Sequence, residues 1–165
     1  MKPMIIFLCM FPIFAHASVC EDLQTVTDQA SSGFSDWKGS YDSELNEYAA
    51  TQSLPGATAC FIEGDDDFPV YSCRWEMSDE SKMISNYHSL VNEISSCSNV
   101  FSQRPRVRAV SGQSGSSRYY QYRNEETTLI EGNGTDFRIK VRSKSRMNRR
   151  DHQEVHLVSV AVEQR

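Results

Sequence analysis

The sequence has no apolar run long enough to cross a bilayer. Its longest, Ile5 to Phe14, covers ten residues, where a spanning helix needs about 20, so no membrane span is expected. Glycine is sparse, 8 residues in 165, and no glycine-rich loop is available to cradle phosphates, which removes P-loop and dinucleotide chemistry. No internal repeat and no low-complexity linker interrupts the chain, so a single domain is expected. Gly112-Gln113-Ser114-Gly115 misses the nucleophile elbow by one position, and it joins two predicted strands where the elbow joins a strand to a helix. With these motifs gone, the sequence offers no catalytic residue and calls for no cofactor.

What is there begins with a leader. Lys2, the apolar run and the small-x-small signal Ala15-His16-Ala17 read as a signal peptide over residues 1–17, followed by one domain over residues 18–165. Export to a bacterial periplasm is expected, with eukaryotic secretion as the alternative. Val19 stands where a lipidation signal wants a small residue, which argues against a lipid on Cys20. Past the leader lie four cysteines, Cys20, Cys60, Cys73 and Cys97, and an even count in an exported chain reads as two disulfides. A hairpin register pairing Ile62 with Tyr71 sets Cys60 opposite Cys73, which leaves Cys20 to meet Cys97. The pairing Cys20–Cys60 with Cys73–Cys97 stays open.

Periodicity supplies the elements. Leu23, Val26, Ala30, Phe34 and Trp37 recur at helical spacing and predict a first helix over 21–38. The stretch 39–55 fits either a short helix capped by Ser43 or an ordered loop. Residues 57–63 and 70–77 read as a hairpin, with Tyr71, Cys73, Trp75 and Met77 on one face and Ser72, Arg74 and Glu76 on the other. A second helix is predicted over 79–96, capped by Ser78 and striped by Met83, Tyr87, Leu90 and Ile94. Strands follow at 106–110, 118–123 and 127–131. Asn133-Gly134, formally part of a glycosylation acceptor, reads instead as a type I′ turn into a strand over 136–143. There Phe137, Ile139 and Val141 face inward and Arg138, Lys140 and Arg142 outward. A basic loop, 144–150, precedes a last strand over 154–163. The expected fold is α+β, a single domain of two main helices packed on an antiparallel sheet, with a hairpin between the helices, a C-terminal meander and two disulfides.

Charge is unevenly spread. Residues 18–100 carry fifteen acids and three bases, residues 101–165 seven acids and thirteen bases. Such asymmetry bears on partners. On the acidic side, Asp65, Asp66 and Asp67 form a hairpin tip suited to entering a cationic cleft; they lack the alternation and distant glutamate of a calcium loop. On the basic side stand Arg138, Lys140, Arg142, Lys144, Arg146, Arg149 and Arg150, with Arg104, Arg106 and Arg108 upstream, and guanidinium forks suit phosphate and carboxylate. Tyr119, Tyr120 and Tyr122 are possible stacking platforms. His152, Glu154 and His156 would share one strand face, a ligand set that suits zinc or copper, against the plainer reading of a solvated edge; no metal is expected there. The function expected is a non-enzymatic periplasmic protein-binding module: an inhibitor or immunity protein that neutralises an envelope-acting toxin or enzyme such as a cell-wall hydrolase. The alternative is a polyanion, glycan or lipid-headgroup binder that uses the arginine- and lysine-rich sheet. Nucleic acid is not an expected partner.

Overall fold

Helix α1 (Val19–Ala30) buries Leu23, Val26 and Ala30 and stops short of the expected Lys38. Gly33 and Phe34 both adopt left-handed backbone, at φ 63° and 55°. For a phenylalanine that conformation costs about 1–2 kcal/mol. It turns the Phe34 ring fully into the core, against Trp37 and Tyr71. The computed structural model describes residues 19–64, 68–111, 120–150 and 152–165. The leader read at residues 1–17, the aspartates 65–67 and the turn residues 112–117 lie outside them.

Neither reading of the segment after α1 holds: it is a β-hairpin. Strands β1 (Lys38–Asp42) and β2 (Glu47–Ala50) pair antiparallel, with Tyr41 opposite Tyr48. Asp42 accepts from the Glu44 and Leu45 N–H groups, and Asn46 takes the left-handed conformation that closes the turn. The hairpin escaped the periodicity test because β1 is exposed along nearly its whole length, so no apolar alternation marks it. Strand β3 (Ala59–Glu63) and strand β4 (Val70–Met77) form the expected second hairpin, with Cys60 opposite Cys73 and Ile62 opposite Tyr71.

Helix α2 (Glu80–Ser95) is capped by Asp79 and not by Ser78. The Asp79 carboxylate accepts from the Lys82 N–H at 2.8 Å, and the Ser78 hydroxyl donates to Asp79 instead. The Lys82 N–H, and after it the Ser78 hydroxyl, hold the Asp79 carboxyl below the usual range. Strand β5 (Arg106–Ser111) follows. Strand β6 (Tyr120–Glu131) runs unbroken through what the sequence divides in two, with a register shift between Arg123 and Glu126. Strand β7 (Phe137–Asn148) extends five residues past its expected end, and strand β8 (Glu154–Gln164) completes the chain. Gly134 is left-handed but Asn133 is not, so the β6–β7 connection is not a type I′ turn.

All eight strands form one antiparallel sheet in the order β1-β2-β3-β4-β8-β7-β6-β5. The last strand thus inserts between the N-terminal and C-terminal meanders. Both helices pack on one face, against Tyr71, Cys73 and Trp75 of β4, Val158, Val160 and Val162 of β8, and Ile139 and Val141 of β7. The disulfides are Cys20–Cys97, which ties α1 to the end of α2 with Cα atoms 5.3 Å apart, and Cys60–Cys73, which bridges the β3–β4 hairpin at 4.0 Å. The fold is α+β with the sheet dominant, and among the described residues no helix is long and apolar enough to cross a membrane.

Candidate functional site

Side chains alternate across a strand, so the residues between those core positions project from the face that carries no helix. On β7 these are Arg138, Lys140, Arg142, Lys144 and Arg146. The strand register sets them beside a floor of short side chains on β8. Lys140 stands opposite Ala161, Arg142 opposite Ser159 and Lys144 opposite Leu157. Across the same floor stands β4, with Ser72 opposite Ala161, Arg74 opposite Ser159 and Glu76 opposite Leu157. Long charged side chains on β4 and β7 flanking Ala161, Ser159 and the low-lying Leu157 on β8 leave a cleft of about 380 Å³, also walled by Glu63 and Glu163.

Most of the charges around this cleft are already matched. Glu163 accepts from Arg138 Nε at 3.1 Å and from Lys140. Burial opposes ionisation of Glu163, but the two cations outweigh it and hold the carboxyl below its ordinary range. Arg74 contacts Glu47 and Glu63, each at 3.3 Å, and lies over the Phe61 ring. Glu47 is buried, and that burial raises its carboxyl despite Arg74. These carboxylates belong to the same half of the chain as the cations they hold, so here the acidic and basic halves do not neutralise each other.

The exception is the end of the cleft near residue 144. Lys144 has no carboxylate within ion-pair distance among the described residues. Its ammonium lies 5.3 Å from the centre of the Tyr122 ring, a weaker substitute for a counter-ion. Burial lowers its pKa, and Arg142, Arg74 and Arg146 lower it further, against a smaller pull from Glu125. Beside it, Arg142 Nε sits 3.3 Å from Glu125, but the alignment fails as a hydrogen bond and this buried N–H has no acceptor among the described residues. A half-desolvated ammonium among guanidiniums is electrostatically unfavourable until an anion joins it.

Of the residues the sequence singled out, Arg138, Lys140 and Arg142 share this face, and Lys144 and Arg146 join them because the supposed basic loop is strand. Arg149 and Arg150 are exposed in the turn beyond β7 and do not line the cleft. Arg106 and Arg108 lie two strands away on the edge strand β5. Asp65, Asp66 and Asp67 fall outside the described residues. His152, Glu154 and His156 are not brought together as a ligand set. His152 occupies a left-handed turn ahead of β8, and His156 Nδ1 is engaged with the Ser145 hydroxyl at 2.8 Å. Among the described residues no cluster of histidine, cysteine and carboxylate is placed to hold a metal. Sequence reasoning set Arg74 and Glu76 on the solvent face of β4 but gave no sign that they border the β7 cations, because that border depends on where β8 inserts. No protein-family model, no curated protein and no solved structure matches this chain.

Proposed function

We propose that the protein is a binding module of the periplasm that holds an anionic ligand in the open-face cleft of its sheet, on Arg142, Lys144 and Arg146. The observation that carries this reading is Lys144, a half-buried ammonium beside Arg142, Arg74 and Arg146 with no carboxylate within ion-pair distance among the described residues. The cleft is at the small end of the range that ligand sites occupy, and its charged groups are few and convergent. Two disulfides support an oxidising compartment. The test is an NMR titration of the disulfide-bonded protein with inorganic phosphate. Saturable shifts confined to β4, β8 and β7, weakened by salt and lost in Lys144→Met, are expected. Absence of saturable shifts at low salt overturns the reading.

A second reading, inhibition of a cationic envelope enzyme, is favoured by the β1–β2 hairpin. Tyr41 and Leu45 are 52% and 63% exposed beside Asp42 and Glu44, at a shallow depression of about 530 Å³. Apolar anchors ringed by carboxylates suit a basic protein cleft. Affinity purification from an envelope extract checks it: one stoichiometric basic protein, lost in Leu45→Asp, is expected. Recovery of no such partner rejects the inhibitor.

A further inference from the structure

Glu76 and Lys144 occupy one row of the sheet, each directly opposite Leu157 on the strand between them. Two strand spacings put their Cα atoms about 10 Å apart. Both line the cleft, and neither has an ion-pair partner among the described residues. Every other carboxylate lining the cleft is held by a cation: Glu63 by Arg74, and Glu163 by Arg138 and Lys140. Glu76 has no ion pair or side-chain hydrogen bond among the described residues; only its backbone N–H is engaged, by the Thr58 hydroxyl. Lys144 is drawn the other way, over Tyr122 of β6. The two opposite charges therefore face one cleft from opposite walls without neutralising each other, above an apolar Leu157 that is 5% exposed.

A fully anionic polymer fits this arrangement poorly. Laid along β7, it would pass from the cationic end to a stretch where Arg138 and Lys140 are already matched by Glu163 and where Glu63 borders the cleft. It would be repelled there. From this bipolar wall pair, and resting on the anion-binding reading above, we infer that the ligand is a compact zwitterion. Its oxyanion lies on Arg142, Lys144 and Arg146, its protonated amine faces Glu76, and a short linker crosses Leu157. Each end supplies the counter-charge that one wall lacks. Discrimination comes from Glu76, which rejects simple anions and favours those that carry an ammonium group. The recognisable chemistry is an aminoalkyl phosphate or an amino acid with separated charges, either free or as a lipid headgroup.

Calorimetric titration of the disulfide-bonded protein with phosphoethanolamine, inorganic phosphate, β-alanine and acetate tests this. Each zwitterion is compared with the simple anion of the same oxyanion class. For at least one pair, the zwitterion is expected to bind about tenfold more tightly than its simple anion. Glu76→Gln is expected to act with opposite signs. It removes that preference yet strengthens binding of the simple anion, because a repelling carboxylate has gone. Lys144→Met is expected to abolish binding of both. Vesicles of phosphatidylethanolamine, set against phosphatidylglycerol, separate the sources. A Glu76-dependent preference seen only with vesicles assigns a lipid headgroup, and one seen with the soluble compounds assigns a free zwitterion. Equal affinity for zwitterion and simple anion, or a Glu76→Gln change of the same sign for both, overturns the zwitterion and leaves anion binding standing. No binding of any probe overturns both.

Discussion

Lys144 lies over the ring of Tyr122, whereas Lys140, four residues back along the same face of β7, is held by the carboxylate of Glu163. The two lysines are alike in sequence context and opposite in electrostatic circumstance. One is a structural cation, and the other has no carboxylate within ion-pair distance among the described residues.

This difference makes the pH dependence of ligand binding specific to Lys144. Its pKa is lowered by burial and by Arg142, Arg74 and Arg146, so it loses its proton at a lower pH than an ordinary lysine at about 10.4. Phosphate affinity is therefore expected to fall on the alkaline side before free lysine chemistry accounts for it. Lys144→Arg, which stays charged, should carry binding to higher pH. A flat profile for the wild-type protein up to pH 10 contradicts the role given to this residue.

The same residue is expected to cost stability in the ligand-free protein. Replacing it by methionine keeps the apolar stem and removes a charge that is poorly solvated and repelled by its neighbours. Lys144→Met should raise the unfolding free energy by on the order of 1 kcal/mol, while abolishing phosphate binding. Denaturant melts of the two proteins give the answer, and a destabilised variant would show that Lys144 serves packing first.

Glu163 behaves in the opposite sense. Its carboxyl is held below the ordinary range in the folded protein, so the stability it contributes is present above the unfolded value near 4.3 and is lost as pH falls through the lowered one. Glu163→Gln should cost about 1–2 kcal/mol at pH 7, leaving Arg138 and Lys140 without their shared acceptor, and almost nothing near pH 2. Urea unfolding at the two pH values measures the convergence.

Both disulfides are expected to matter, and unequally. Cys20–Cys97 closes a separation of 77 residues and Cys60–Cys73 one of 13, worth about 4.5 and about 3 kcal/mol in the chain-entropy model. The paired serine variant Cys20/Cys97 should lose more than the variant Cys60/Cys73, since only the first also releases α1 from α2. Equal midpoints for the two would indicate that α1 is held by burial of Leu23 and Val26 alone.

Tyr87 on α2 and Thr128 on β6 share a buried hydroxyl contact of 2.7 Å. Thr128→Val should leave the Tyr87 hydroxyl without its hydrogen-bond partner and cost about 1–2 kcal/mol, and Tyr87→Phe in the same background should recover part of that loss. A double-mutant cycle in thermal unfolding reads the coupling.

What the sequence determined by itself was local. Alternation along residues 70–77 and 137–142 assigned each side chain to its face, and the three-four spacing from Met83 to Ile94 assigned the second helix. The hairpin register set Cys60 opposite Cys73 and favoured Cys20 with Cys97, but the other pairing stayed open until the structure gave Cys60–Cys73 and Cys20–Cys97. These follow from backbone periods that any short window displays. Where both strand faces are polar or exposed, as in β1 and in β7 beyond residue 143, the period carries no apolar signal, and neither the hairpin at 38–50 nor the strand at 144–148 is legible in the sequence. The candidate site belongs to the tertiary structure. Arg74 and Glu76 are far from β7 in sequence, and Arg74 faces Arg142 across Ser159 and Glu76 faces Lys144 across Leu157 only because β8 pairs with β4 on one edge and β7 on the other. No local pattern encodes that choice: hydrogen-bonding edges are chemically alike, and which two strands accept the last one is decided by the packing of the whole sheet against α1 and α2.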